Sequence, residues 1–344
     1  MNSVRDFKNN PINPAKAQRI PKGVKKIKAL VLLSGGLDSI LAVKILQEQG
    51  IKVKAVSFKS LFFDEKQASK AAQDLKIPLK VIDISKEHLN MVKNPKHGYG
   101  KRMNPCIDCH ILMLRTAKRF AKLTRNKNAK QDQEGFDFVA TGEVLGERPM
   151  SQNRRTLKLV KEESSLQGFL LRPLSAKLLP ITIPEKKGWV ERERLFDLSG
   201  RSRKRQIELA QKWKIKYYPT PAGGCLLTDL EFSKRLKELF LRYPACGEND
   251  IELLKLGRHF GKNKVKIVVG RNQEEDLEIL RLAQRKDILI ELKDYPGPIT
   301  LVRNYGASPD TSLKVVEKAQ ALTQHYSKKA RDKKEVRFKT WEKK

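Results

Sequence analysis

Three cysteines and one serine–glycine turn carry most of the chemistry this chain can do. Cys106 and Cys109 stand three apart in Asn104-Pro105-Cys106-Ile107-Asp108-Cys109-His110. At the entrance of a helix, that spacing lets two thiolates meet one ion, and free N–H groups there lower their pKa. Such a pair is a metal half-site, a redox couple or a coincidence. Cys225 lies far along the chain, after Gly223-Gly224, in a loop rather than an apolar stretch. Two cysteines on one element and a third on a distant loop can make three ligands of a [4Fe–4S] cluster, with the fourth iron left open. A structural zinc wants four closed ligands, and His110 or Cys246 can complete that set, so zinc stays open, as does a site with no metal. Cys246 itself, in Tyr243-Pro244-Ala245-Cys246-Gly247, reads as a turn cysteine.

The second constellation is Ser34-Gly35-Gly36-Leu37-Asp38-Ser39, directly after the apolar run at 29–33. A short run apolar on both faces reads as a strand inside a parallel sheet. Two glycines let the backbone turn tightly and bare its N–H groups. Ile40, Leu41, Val43, Ile45 and Leu46 then recur at helical spacing up to Gly50. Strand, glycine turn and helix N-terminus aim N–H groups and a positive dipole end at one point, where an anion fits. No Gly-Lys-Ser/Thr follows, so this is not a Walker loop. An ordinary strand-to-helix turn would show the same local pattern.

These groups need elements to position them. Strands are expected at 53–58, 79–84, 136–143 and 169–174, and helices at 64–75, 87–92, 111–123 and 229–240. The alternation predicts an α/β fold with a doubly wound parallel sheet. Ligands of such sheets sit at the carboxyl ends of the strands. The glycine turn, Ser57, Phe58 and Gly142 would share that edge. Glu143 would face the nucleotide, the metal or solvent there, and Arg148, Arg154 and Arg155 would line a loop beside it. After residue 253 the pattern changes to a smaller α+β module, with strands at 265–269, 288–292 and 299–303 around a helix at 274–283. The expected division is a basic lead-in at 1–26, a catalytic domain at 27–243, the module at 244–326 and a basic tail at 327–344, helical or disordered.

A length of 344 residues suits two or three domains. A formal net charge of +33 points to a polyanionic partner, nucleic acid first. No apolar run is long enough for a membrane span, and no secretion signal is seen, so the expected setting is the cytoplasm without a membrane partner.

The Ser-Gly-Gly-Leu-Asp-Ser turn resembles the PP-loop of the N-type ATP pyrophosphatases. The resemblance implies ATP as cosubstrate, with Ser34, Gly35, Gly36, Asp38, Ser39, Ser57, Phe58 and Gly142 around it and Mg²⁺ placed by Asp38. Asn-Pro-Cys-x-x-Cys-His, Thr-Gly-Glu…Arg-Pro-Met-Ser-Gln and Pro-Thr-Pro-Ala-Gly-Gly-Cys extend it, over residues 28–240, to the tRNA thiolation enzymes, which include the 4-thiouridine and 2-thiouridine synthetases. That family implies a tRNA sulfurtransferase that adenylates a uridine carbonyl oxygen and replaces it with sulfur. Asp38, Cys106, Cys109 and Cys225 would be catalytic, and the cysteines would hold the [4Fe–4S] cluster. Other thiouridylases use a persulfide–disulfide pair, here Cys109 with Cys225 or Cys106 with Cys225. The sulfur donor would be sulfide or a persulfide-carrying protein. Gly270-Arg271-Asn272, the Lys293-Asp294-Tyr295-Pro296-Gly297 turn and the strand at 299–303 resemble the NFACT-R RNA-binding domain. Two other readings are an RNA- or ribosome-binding protein with a non-catalytic PP-loop fold, and a ligase using ammonia or an amine, for which no glutaminase domain is seen.

Overall fold

The computed structural model describes residues 26–122, 135–219, 224–261, 264–306 and 309–344. The expected lead-in up to residue 25, the polar loop at 124–134 and residues 220–223 of the Cys225 loop lie outside the described residues.

The first half alternates β1 Lys28–Leu32, α1 Leu37–Glu48, β2 Lys52–Lys59, α2 Lys66–Asp74, β3 Leu79–Asp83, α3 Ser85–Lys93, α4 Cys106–Ala121, β4 Phe138–Ala140, α5 Arg154–Glu163 and β5 Leu170–Leu171. The five strands form one parallel sheet in the order β3-β2-β1-β4-β5. Strand alternation splits the apolar residues between two faces. Ala29, Val31, Ala55 and Ala140 pack with α1 residues such as Leu41 and with Ala68 and Ala71 of α2. Leu30, Val56 and Val139 pack on the other face with Ile111 and Leu114 of α4 and Val160 of α5. The sheet is therefore doubly wound, as expected. The order reverses at β1, which opens a crevice beyond the carboxyl ends of β1 and β4.

α4 begins at Cys106, five residues earlier than expected, and β4 stops at Ala140. α5 was not expected, since only Thr156, Leu157 and Val160 of its ten residues are buried. A short α6 Ile183–Lys186 and then α7 Lys204–Lys212 follow; Ala210 of α7 joins the α1 face of the sheet. α8 Leu230–Arg242 and α9 Glu248–Lys255 lead into β6 Arg258–Phe260, β7 Val265–Val269, α10 Gln273–Leu282, β8 Ile288–Leu292, β9 Thr300–Asn304, α11 Pro309–His325 and β10 Phe338–Glu342. These strands make a separate sheet, β10-β8-β9-β7-β6, whose pairings are all antiparallel.

The tail expected as helical or disordered thus contributes a strand. Phe338 to Glu342 pair with β8 from Leu292 to Ile288, and Phe338 and Trp341 pack on the module's apolar clusters. The surrounding lysines concealed that apolar pair. α9 joins the two halves: Ile251 and Leu254 enter a cluster with Phe232 and Leu236 of α8, whereas Leu253 enters the cluster of Val268 and Leu301. Arg303 on β9 locks the junction. It pairs with Asp250 at 2.8 Å and Asp287 at 2.7 Å, all three buried, and the Tyr305 hydroxyl donates to Asp250 at 2.9 Å. Cys246 is buried in the α8–α9 cluster, and its carbonyl accepts from Lys93 Nζ; its part is structural. Among the described residues, no helix is long and apolar enough to cross a membrane.

Candidate active site

The turn after β1 is held in one shape by steric limits. Gly35 has φ +81°, and a Cβ there would lie 2.4 Å from the carbonyl carbon of Gln67. Gly142, two residues past β4, comes equally close to the loop, since its Cβ would lie 2.5 Å from the Asp38 carbonyl and the Ser39 nitrogen. Only glycine fits at either place. Ser39, buried, donates to Gly36 O at 2.8 Å and accepts from Ser34 N at 3.3 Å. Gly36 is the N-cap of α1 and supplies no side-chain acceptor. The first-turn N–H groups of α1 are thus presented to the crevice, as an anion site requires.

Asp38 stands in this first turn, and burial is the largest influence on its carboxyl, pushing its pKa up against the opposing pull of Arg203 and Arg148 and a hydrogen bond from Gln206. Its Oδ1 is buried without a partner. A desolvated carboxylate oxygen with no donor suits a divalent cation, so Asp38 fits the Mg²⁺ role. Glu147 lies against it. Burial first, then the Asp38 charge, pushes Glu147 up to about 6, while Arg148 and Arg203 oppose the shift. Arg203 Nε is also buried without a partner, as is Gln152 Oε1 on the loop that carries Arg148. Two carboxylates and two guanidiniums thus meet at the loop. Neither Glu147 nor Arg203 was singled out in the sequence, because Arg203 precedes α7, far from any motif, and reaches the loop through the packing of α7 on the α1 face of the sheet.

The cysteines come together. Cys106 opens α4 and Cys109 lies one turn on, its N–H donating to Pro105 O at 2.9 Å. The Cys225 segment is tied to the loop after β2, since Leu226 N donates to Phe62 O at 3.0 Å, and to the approach to α4, since Arg102 donates to Thr228 O. Burial pushes the Cys109 thiol up, and the neighbouring Cys225 and Cys106 push it further. Burial raises Cys225 to about 11, with Cys106 adding to the shift, and raises Cys106 as well. Arg148 pulls the other way on both Cys106 and Cys225. One guanidinium therefore lies within electrostatic reach of the PP-loop carboxylate and of two thiols.

The fit to a metal is a separate matter. Among the described residues, no group of three or more His, Cys, Asp or Glu side chains is arranged to hold a metal ion. The thiols feel one another without forming a ligand set, so the [4Fe–4S] and zinc expectations find no support here. His110 is engaged elsewhere: its Nδ1 lies 2.9 Å from Glu143 Oε1. Glu143 is buried, and that burial is outweighed by Arg172, 2.7 Å away, and by His110, which hold its carboxyl well below the usual range. Glu143, expected at the nucleotide, metal or solvent, instead ties α4 to the end of β4. Phe58 packs in the core with Ile84 and Leu30. Ser57 is buried in β2 opposite Val81. Arg154 donates to Leu178 O at 2.9 Å, on α5 rather than in a loop.

Residues 27–193 match the family model described as the tRNA methyl transferase HUP domain, and residues 257–344 match the NFACT protein RNA binding domain. The tRNA-specific 2-thiouridylase MnmA of Karelsulcia muelleri is 26% identical over 231 residues, 62% of this chain and 55% of its own. The protein of the same name from Caldicellulosiruptor saccharolyticus is 26% identical over 262 residues, 70% of this chain and 65% of its own. The chain thus spans between about half and two thirds of the length of these two relatives. A solved 4-thiouridine synthetase–RNA complex with bound ATP aligns at 19% identity and a TM-score of 0.35, covering 66% of this chain and 52% of its own.

Proposed function

We propose, from the premise that the chain belongs to the PP-loop tRNA thiouridylase-like family and carries an NFACT-type RNA-binding domain, that it is an ATP-dependent tRNA sulfurtransferase. Uridine's carbonyl oxygen is a poor leaving group, and adenylation makes it a good one. The N–H groups after β1, with Ser34, Gly35, Gly36 and Ser39, hold the pyrophosphate end of ATP as it departs. Gly142 keeps β4 tight against them. Arg148 and Arg203 offset the charge that develops on phosphate oxygens. Mg²⁺ bound at Asp38 would neutralise further phosphate charge.

The sulfur step uses Cys106 and Cys225. Burial pushes all three thiols up, but Cys109 is 9% exposed, whereas the other two are more open and the charge of Arg148 acts on both. A donor places a persulfide on one of the two. Its outer sulfur attacks the activated carbon, and AMP leaves with the former carbonyl oxygen. The second cysteine attacks the inner sulfur, which releases thiolated uridine and leaves a Cys106–Cys225 disulfide that a thiol reductant reopens.

The observation that supports this reading is Arg148, whose charge acts on the Asp38 carboxyl of the PP-loop and on the two thiols alike. Nucleoside mass spectrometry of tRNA incubated with ATP and a persulfide donor tests it. Cys106→Ser and Cys225→Ser each abolish thiouridine formation, and Cys109→Ser retains it. A Cys225→Ser variant that still thiolates defeats the pair. Stoichiometric iron in anaerobically purified protein, together with loss of activity in Cys109→Ser, replaces it with the cluster chemistry.

A further inference from the structure

An open cleft of about 470 Å³ lies between α8 and the edge of the C-terminal sheet. Glu231, Lys234, Arg235 and Glu238, at helical spacing on α8, form one wall. Arg258, His259 and Phe260 of β6, Arg271 and Tyr326 form the other. Both halves of the chain are needed to make it. Most of its charges are neutralised locally: Lys234 pairs with Glu231, Glu238 with Arg242 and Arg271 with Glu275. Arg235 and Arg258 are different. Among the described residues, neither has a carboxylate within salt-bridge distance; each donates to one backbone carbonyl, Arg235 to Leu254 O at 3.3 Å and Arg258 to Gly270 O at 3.2 Å. A guanidinium has five N–H donors, so most of theirs remain for a ligand.

Arg258 is also seated on an aromatic base. Its guanidinium carbon is 4.5 Å from the Tyr326 ring centroid, and Phe260 stands 6.0 Å from the same ring. Tyr326 is backed by the module's apolar cluster, so Arg258 is held as a ready platform. On the neighbouring β7, Lys266 is pulled down to about 8, by burial first, with Arg235 and Arg303 adding to the shift against Glu238 and Asp250. A cleft with two unmatched guanidiniums and a buried lysine nearby is short of negative charge.

We propose that this cleft takes one unpaired nucleotide of the RNA strand, its base stacked on the Arg258–Tyr326 platform and its phosphate bridged by Arg235 and Arg258. Bases stack on guanidinium planes as well as on aromatic rings, and arginine binds phosphate through paired donors. The volume suits a nucleotide and is too small for a duplex. The site deepens the proposed function, on which it rests for RNA as the ligand class, and adds a grip far from the PP-loop.

The test is fluorescence anisotropy of the full chain with labelled bulk tRNA across a salt series. Arg258→Ala and Arg235→Ala each weaken binding about tenfold, and each lowers the salt slope by about 1. Arg258→Lys keeps the slope but binds more weakly than the parent, because charge survives and the planar platform does not. Thermal melts confirm that each variant folds. Parent-like affinity and slope in both alanine variants, with normal tRNA binding by the parent, overturn the cleft and leave the sulfurtransferase reading standing. Failure of the parent to bind tRNA overturns both. Polyglutamate competing as well as a single-stranded oligonucleotide would make this an acidic-peptide site and also overturn the proposal.

Discussion

Glu147 sits one residue before the arginine that links loop and thiols, and its ionisation sets a pH limb. Buried and beside Asp38, it is pushed up to about 6. Below that pH Glu147 is protonated and offers Asp38 no second carboxylate for a cation; above it Glu147 is charged. In kcat/KM for ATP, which reports the free enzyme, pyrophosphate release should rise through about pH 6. Glu147→Gln should remove that limb and lower the plateau, and a pH–rate series on both proteins measures it. Nothing in the residue string marked this group. The sequence exposed Asp38 because the motif did, but Glu147 and Arg203 become visible only once the loop between β4 and α5 and the N-terminus of α7 fold onto α1.

At the scale of elements, the site depends on how closely β4 approaches α1. A methyl group on Gly142 would lie 2.5 Å from the backbone of Asp38 and Ser39. Gly142→Ala should therefore displace the PP-loop, reducing ATP affinity at least tenfold, while far-UV circular dichroism stays unchanged; isothermal titration with ATP gives the readout. Much at this scale was legible. The run at 29–33 reads as a buried strand because both faces of β1 are covered, and the Cys-x-x-Cys pair does stand at a helix entrance, although α4 starts at Cys106 itself rather than at 111. The rest was hidden for physical reasons. α5 is charged along most of its length, and its start depends on Asn153, whose side chain accepts from Thr156 N at 2.9 Å. β4 was overread because Thr141 and Glu143 stay buried beyond the strand's end at Ala140. The [4Fe–4S] expectation overreached similarly, since spacing on a helix says how two thiols lie and nothing about how a loop brings the third.

Across the whole molecule, a buried charge network stands where the two sheets are joined. Arg303 satisfies Asp250, Asp287, Asn249 and the carbonyl of Leu282 from one buried guanidinium. Arg303→Ala would leave two buried carboxylates without their counter-charge, and breaking such a pair costs about 3–5 kcal/mol. Chemical denaturation should show that loss, with ATP affinity changed less than stability because the PP-loop lies in the other sheet's crevice.

α9 has one further consequence. Ile251 and Leu254 belong to the apolar cluster on one side of it and Leu253 to the cluster on the other. An eight-residue helix that fills two interiors cannot be assigned to either lobe. Cutting the chain on either side of it would open a hole in the piece that loses it, so calorimetry should find both lobes melting as one cooperative unit.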